Sequence, residues 1–348
     1  MSEPLFDVYD IWAPDSVYTN HRIPGIIVTS EGTLLIYCEA RRSLSDWAMM
    51  DILLQRSVDG GKSFSDPYLL AVGTDHHPTV NNPVMVEDRN GRIHFLYCED
   101  YTVSGGRVLH RCSDDDGITW SAPEDISRFT LPDRHNAFAL GPGHGIISPD
   151  GTILIPVWMV PKYFLAPERS HSPSVISVLY SRDNGTTWAI GDILESAPDV
   201  ITPNETVAAV TSDNRVYLNI RHLGFCRAKA YSENGYSDWR QYGPDYGLPD
   251  PRCFGSVASY NDGEHPYSIL FVNCNSKTER KNVTVRMSED DGSTYKYSRV
   301  IDIDRGGYSD IAVDCGKGLI YVLYENKGGE TDHLAVFNYE WIKAGKNN

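Results

Sequence analysis

The sequence has no hydrophobic run long enough to cross a bilayer. Its longest apolar stretch, around residues 153–160, falls far short of the ~18 residues a spanning helix needs, so no membrane insertion is expected. It also lacks a basic segment followed by an apolar one at its start, where Met1, Ser2, Glu3 and Pro4 stand. A cytoplasmic protein is the expectation from that absence, or a secreted or periplasmic one if a leader has been removed. Positive charge is scarce: 31 Lys and Arg against 47 Asp and Glu leave a net charge of -16, with no basic stripe. Nucleic acid is therefore not an expected partner, and an anionic ligand has to be captured locally, against the field of the whole protein. The cysteines (Cys38, Cys98, Cys112, Cys226, Cys253, Cys274 and Cys315) include no C-x-x-C pair, and buried free thiols are expected rather than a disulfide framework. His76, His77, His144 and His171 show no metal-ligand spacing and read as structural, and no metal or cofactor is expected.

What the sequence does have is a repeat. The pattern S-x-D-x-G-x-S/T-aromatic occurs at Ser57 to Phe64, Ser113 to Trp120, Ser181 to Trp188 and Ser288 to Tyr295, with a decayed copy from Ser232 to Trp239. The intervals are 56, 68, 51 and 56 residues, so 348 residues hold roughly six units of roughly 58, a count typical of a β-propeller. Each copy follows a strand-like run, such as 51–56, 107–112, 175–180 and 282–287. Ser and Asp bond backbone N–H groups in a turn, and Gly supplies a positive φ, so the box reads as a hairpin staple. Aromatics at 11%, 29 Gly and 20 Pro suit many short strands, and only residues 338–344 suggest a short helix. The expected fold is all-β, a six-bladed propeller formed by residues 1–348 as one catalytic domain, with the N-terminal segment closing the last blade. Two lookalikes fail: Gly60-Gly61-Lys62-Ser63 lacks the first P-loop glycine, since Arg56 stands there, and Asp114-Asp115-Asp116-Gly117 lacks calcium-loop spacing.

A strand of ~7 residues covers about 23 Å, so residues some 8–11 positions before a box emerge at the opposite face. Asp46 lies 11 before Ser57 and Arg280 lies 8 before Ser288. The competing residues are Asp51, inside the strand that leads to a box, and Arg286, only two residues before Ser288. The same face is expected to gather His21-Arg22-Ile23-Pro24, Glu39 to Asp46, Asn204-Glu205-Thr206, Arg221, Tyr308 and Glu325. Trp47 and Trp158 are candidates for its walls, with core packing as the alternative.

These segments, together with Asn82-Pro83-Val84, Gly141 to Gly145 and Arg252 to Ser256, resemble the exo-α-sialidase (neuraminidase) family, in particular the bacterial Asp-box (BNR-repeat) enzymes. The resemblance covers nearly the whole chain. It implies a retaining glycosidase that removes a terminal α-linked sialic acid from an oligosaccharide or glycoconjugate. It further implies that Arg22, Arg221 and Arg280 hold the sugar carboxylate, that Tyr308 is the nucleophile and Glu205 its base, and that Asp46 is the acid/base. Arg41 would contact the far side of the sugar, and Glu325 would hold Arg22. The chemistry agrees with these roles: three guanidiniums suit a carboxylate, and a phenol approaches an anionic centre that a carboxylate nucleophile would be repelled by. Asp46, between Arg41 and Trp47, is expected to be desolvated enough to stay protonated. One departure is His21, where the family more often has Tyr or Phe; it faces either the core or the pocket floor. Two other functions fit the sequence less fully: a silent Asp-box propeller used for binding, and a glycosidase for another nine-carbon acid, such as the deaminated analogue.

Overall fold

The computed structural model describes residues 3–102, 105–163 and 170–345. The longer strands run consecutively and pair antiparallel with their sequence neighbours, giving six four-stranded blades; the two-residue strands Gly143–His144, parallel to Val80–Glu87, and Ile146–Ile147 add to the edges of two of them. The first holds Asn20–Val28, Leu34–Arg41, Met50–Ser57 and Tyr68–Val72, and the second Val80–Glu87, Ile93–Thr102, Gly105–Ser113 and Glu124–Asp125. His135–Leu140, Ile153–Pro161, Val175–Ser181 and Ala189–Ile190 form the third, and Thr206–Val210, Val216–Ile220, Cys226–Ser232 and Arg240–Pro249 the fourth. Ser256–Tyr260, Ser268–Cys274 and Lys281–Ser288 lead into the 18-residue strand Tyr297–Asp314, which ends blade five and then opens blade six with Leu319–Asn326 and Thr331–Asn338. The molecule is a six-bladed β-propeller.

The N-terminal strand Phe6–Trp12 is the outermost strand of the last blade, in register from Phe6↔Phe337 to Trp12↔Asp332. The ends of the chain therefore close the ring. Asn338 caps the helix Tyr339–Lys343 and also accepts from the Leu5 N–H at 3.0 Å, while Phe6 stacks on Trp341 at 4.4 Å. Among the described residues no helix is long and apolar enough to cross a membrane.

Second strands such as Leu34–Arg41, Ile153–Pro161 and Ser268–Cys274 are buried along their whole length. Each blade is covered on both faces by its neighbours, which is why these strands read as near-continuous apolar runs rather than alternating ones. The boxes supply part of that packing. In each complete box the Ser hydroxyl donates to the Asp and accepts the Gly N–H, while the Asp takes the N–H and hydroxyl of the Ser or Thr. In the decayed copy Asn234 likewise accepts from the Ser237 N–H at 2.9 Å, but its Nδ2 donates to the Ser237 hydroxyl at 2.8 Å, the reverse of the Asp boxes. The box glycine takes a positive φ and abuts the preceding blade: a Cβ on Gly117 would lie 3.2 Å from Leu35, and one on Gly292 3.1 Å from Tyr217. All seven cysteines are free; Cys112 and Cys315 are only partly buried, unlike the others.

Candidate active site

Every box ends a third strand, so the starts of first strands and the ends of second strands lie at the opposite face. Arg22 is near the start of Asn20–Val28, and Arg41 ends Leu34–Arg41, with Asp46 in the loop beyond. Glu205 directly precedes Thr206–Val210, Arg221 follows Val216–Ile220, and Arg280 precedes Lys281–Ser288. Tyr308 lies where Tyr297–Asp314 enters blade six. All of these residues line one cavity. Glu325 stands behind Arg22 and is 1% exposed.

Tyr308 is at the centre. Its hydroxyl donates to Glu205 Oε1, and Arg221 Nη1 reaches the Tyr308 oxygen at 2.8 Å while also pairing with Glu205 Oε2. The guanidinium carbons of Arg22, Arg280 and Arg221 lie 5.2, 5.5 and 5.9 Å from the centre of its ring. Burial pushes the phenol above its ordinary value, against the three nearby cations. Glu325 ties two of these parts together. Its Oε1 accepts from Arg22 Nε at 3.1 Å and the Ile23 N–H at 3.0 Å, and its Oε2 accepts from the Tyr308 N–H at 3.0 Å. Gly307, directly before Tyr308, makes room for this carboxylate, since a Cβ there would lie 2.0 Å from Glu325 Oε2. Arg280 makes no ion pair among the described residues; its Nη2 donates only to the Arg252 carbonyl, at 3.3 Å. It is therefore the cation of the cluster with an unmet demand for an anion.

Asp46 differs from the sequence expectation. Burial pushes its carboxyl up, but Arg41 at 2.6 Å and Arg22 at 3.8 Å outweigh that and hold it below the usual carboxylate value. In the free protein Asp46 is ionised. Arg41 is in turn fixed by Glu39, whose other oxygen takes the Asn82 N–H at 2.7 Å.

The competitors lie elsewhere. Asp51 accepts from the Tyr18 hydroxyl at 2.6 Å and the Gly73 N–H at 2.9 Å. Arg286 bonds Asn273 Oδ1 at 2.9 Å inside blade five. His21 is buried against Trp12 and Tyr18, away from the cavity, and desolvation lowers it to about 4. Of the two tryptophans, Trp158 lines the cavity, whereas Trp47 stacks on His171 at 5.0 Å. His171, read from sequence as structural, also lines the cavity, as do His222, Leu223 and Asn82. His171 and His222 follow no spacing rule along the chain, so no sequence signal marks them; Asn82 belongs to the Asn82-Pro83-Val84 segment, to which the sequence assigns no role.

The family model for the BNR repeat-like domain matches residues 69–322. The chain belongs to that family. Among its curated relatives, an exo-alpha-sialidase of Arthroderma benhamiae is 28% identical over 99% of this chain and 90% of its own length. A sialidase of Micromonospora viridifaciens is 29% identical over 98% of this chain and 55% of its own. Among solved structures, a Hadza microbial sialidase superposes with a TM-score of 0.84 at 23% identity, over 95% of this chain and 68% of that one.

Proposed function

We propose that the protein is a retaining exo-α-sialidase, with residues 1–348 forming one catalytic propeller that acts on sialylated oligosaccharides or glycoconjugates. The observation that carries this reading is the ring of three arginines around a buried tyrosine that is already hydrogen-bonded to a carboxylate. The curated relatives named sialidases support the same substrate class.

In this reading the substrate carboxylate bridges Arg22, Arg221 and Arg280, and Arg280 gains the anion it lacks. The Tyr308 oxygen attacks the anomeric carbon while its proton passes to Glu205. Asp46 protonates the departing glycosidic oxygen. Water, deprotonated by Asp46, then attacks the anomeric carbon, the bond to the Tyr308 oxygen breaks, and Glu205 returns the proton to the phenolate. Because Asp46 starts ionised, it has to take up a proton as substrate binds. The incoming carboxylate offsets the charge of Arg22, and the sugar covers the third of the Asp46 side chain still exposed.

The test is release of methylumbelliferone from its N-acetylneuraminide and from the deaminated analogue. Turnover of either supports a sialidase-type glycosidase and shows which acid is preferred. Turnover of neither, by folded protein, overturns the reading in favour of a binding propeller.

A further inference from the structure

We propose that His94, His110 and Cys112 form a site for one zinc-class transition-metal ion, set between blades two and three and separate from the sugar cavity. His94 lies on Ile93–Thr102, while His110 and Cys112 lie on Gly105–Ser113. His94 pairs directly across the strands with Cys112, and His110 is two residues earlier on the same face. His94 Nδ1 and His110 Nε2 are 3.0 Å apart, and Cys112 Sγ lies 3.2 Å from the latter and 3.6 Å from the former. A tetrahedral ion with bonds of ~2.0–2.3 Å holds such atoms roughly 3.3–3.7 Å apart. The three donors thus need to move by only a few tenths of an ångström.

The proton count points the same way. His94 Nε2 faces Asp88 Oδ2 at 3.3 Å, and the carboxylate favours a proton on that nitrogen, which leaves Nδ1 as a bare lone pair. His110 Nε2 and the thiol then bring at most two protons to three mutual contacts. A cation satisfies all three lone pairs at once, and a carboxylate behind a ligating imidazole is the usual outer partner of such an ion. Nitrogen and sulfur donors favour zinc-class ions over calcium or magnesium, which require oxygen.

The cluster is roofed by the next blade. Trp188 meets His110 and His94 edge-on at 5.5 and 6.4 Å, and a Cβ on Gly185 would lie 2.7 Å from His94 Nδ1. A bound ion would clip two strands of blade two beneath the box of blade three and stabilise the folded state by mass action. The fourth coordination position falls to water.

The test uses the full-length protein, stripped with a chelator and titrated with Co2+ as a spectroscopic probe. One equivalent is expected to give tetrahedral visible bands and a thiolate-to-cobalt charge-transfer band, both removed by one equivalent of Zn2+. Cys112→Ser should abolish the charge-transfer band, and Asp88→Asn should weaken binding by ~10–100-fold. Zn2+ should raise the melting temperature of the wild type but not of Cys112→Ser, whose fold is checked by circular dichroism without metal. Absence of the band in the wild type, or its persistence in Cys112→Ser, overturns the proposal. Neither readout involves sugar turnover, so the outcome is independent of the glycosidase reading.

Discussion

Glu205 and Tyr308 are separated by 103 residues, yet the phenol of one donates to the carboxylate of the other inside a single cavity. Blade four supplies the carboxylate and blade six the phenol, and Arg221 touches both. A buried phenol resists losing its proton. A base in contact and three cations around the ring are the features that offset this.

Arg280 and Arg286 should part company. A hydrogen bond to a charged group contributes about 1.5–3 kcal/mol, so Arg280→Ala is expected to lower kcat/KM at least ~10-fold with little change in melting temperature. Arg286 lies inside blade five, bonded to Asn273 and against Phe271. Arg286→Ala is expected to lower the melting temperature and to affect kcat/KM less. Calorimetry beside steady-state kinetics checks both, and the opposite ranking would move the clamp to Arg286.

Glu325 is placed by what it accepts, since every bond it makes comes from a donor on Arg22, Ile23 or Tyr308. In Glu325→Gln an amide NH2 must face one of those donors. The change is therefore expected to cost more than ~10-fold in kcat/KM, because buried donors are left unpaired. Glu325→Asp, which keeps the charge, should recover part of the loss.

Much of this was legible in the sequence. The box spacing implied six blades, and the count of residues back from each box placed Asp46 and Arg280 opposite the boxes. What was not legible depended on contacts between distant strands. The ionised state of Asp46 follows from Arg41 lying 2.6 Å away, a distance the four intervening residues do not fix. His171 enters the cavity from a loop without pattern, and Trp47 supports it instead of lining the wall. Likewise, His94 and His110 meet only because their strands pair, which spacing along the chain does not reveal.

Asp46 can be separated from mere binding by its leaving groups. General acid catalysis is typically worth ~10²–10⁴-fold, but only where the departing oxygen needs a proton. Asp46→Ala is expected to be far more damaging on sialyllactose than on the methylumbelliferyl glycoside. Equal losses in kcat/KM on both substrates would make Asp46 a binding residue.

Acid stability should report the boxes. The Thr119 hydroxyl and N–H, followed by the Ser113 hydroxyl, lower the Asp115 carboxyl to about 2. A depressed folded value means that its stabilisation is fully present above the unfolded value of ~3.9 and is lost as pH falls through the folded one. Asn234 shows that Asn keeps the backbone bond of the box while reversing the hydroxyl bond, donating to Ser237 where Asp115 accepts from Thr119. Asp115→Asn is therefore expected to flatten the fall in melting temperature between about pH 4 and 2 while leaving a folded protein at pH 7. An unchanged acid slope would count against this role.

The most direct test of the account is to trap the covalent intermediate. The protein is incubated with a 3-fluoro-sialosyl fluoride, digested, and mapped by mass spectrometry, and the configuration of the sugar first released from a natural substrate is followed by NMR. The account expects one adduct, on Tyr308, absent in Tyr308→Phe, with retention at the anomeric carbon. An adduct on Glu205 or Asp46, or release with inversion, would contradict it.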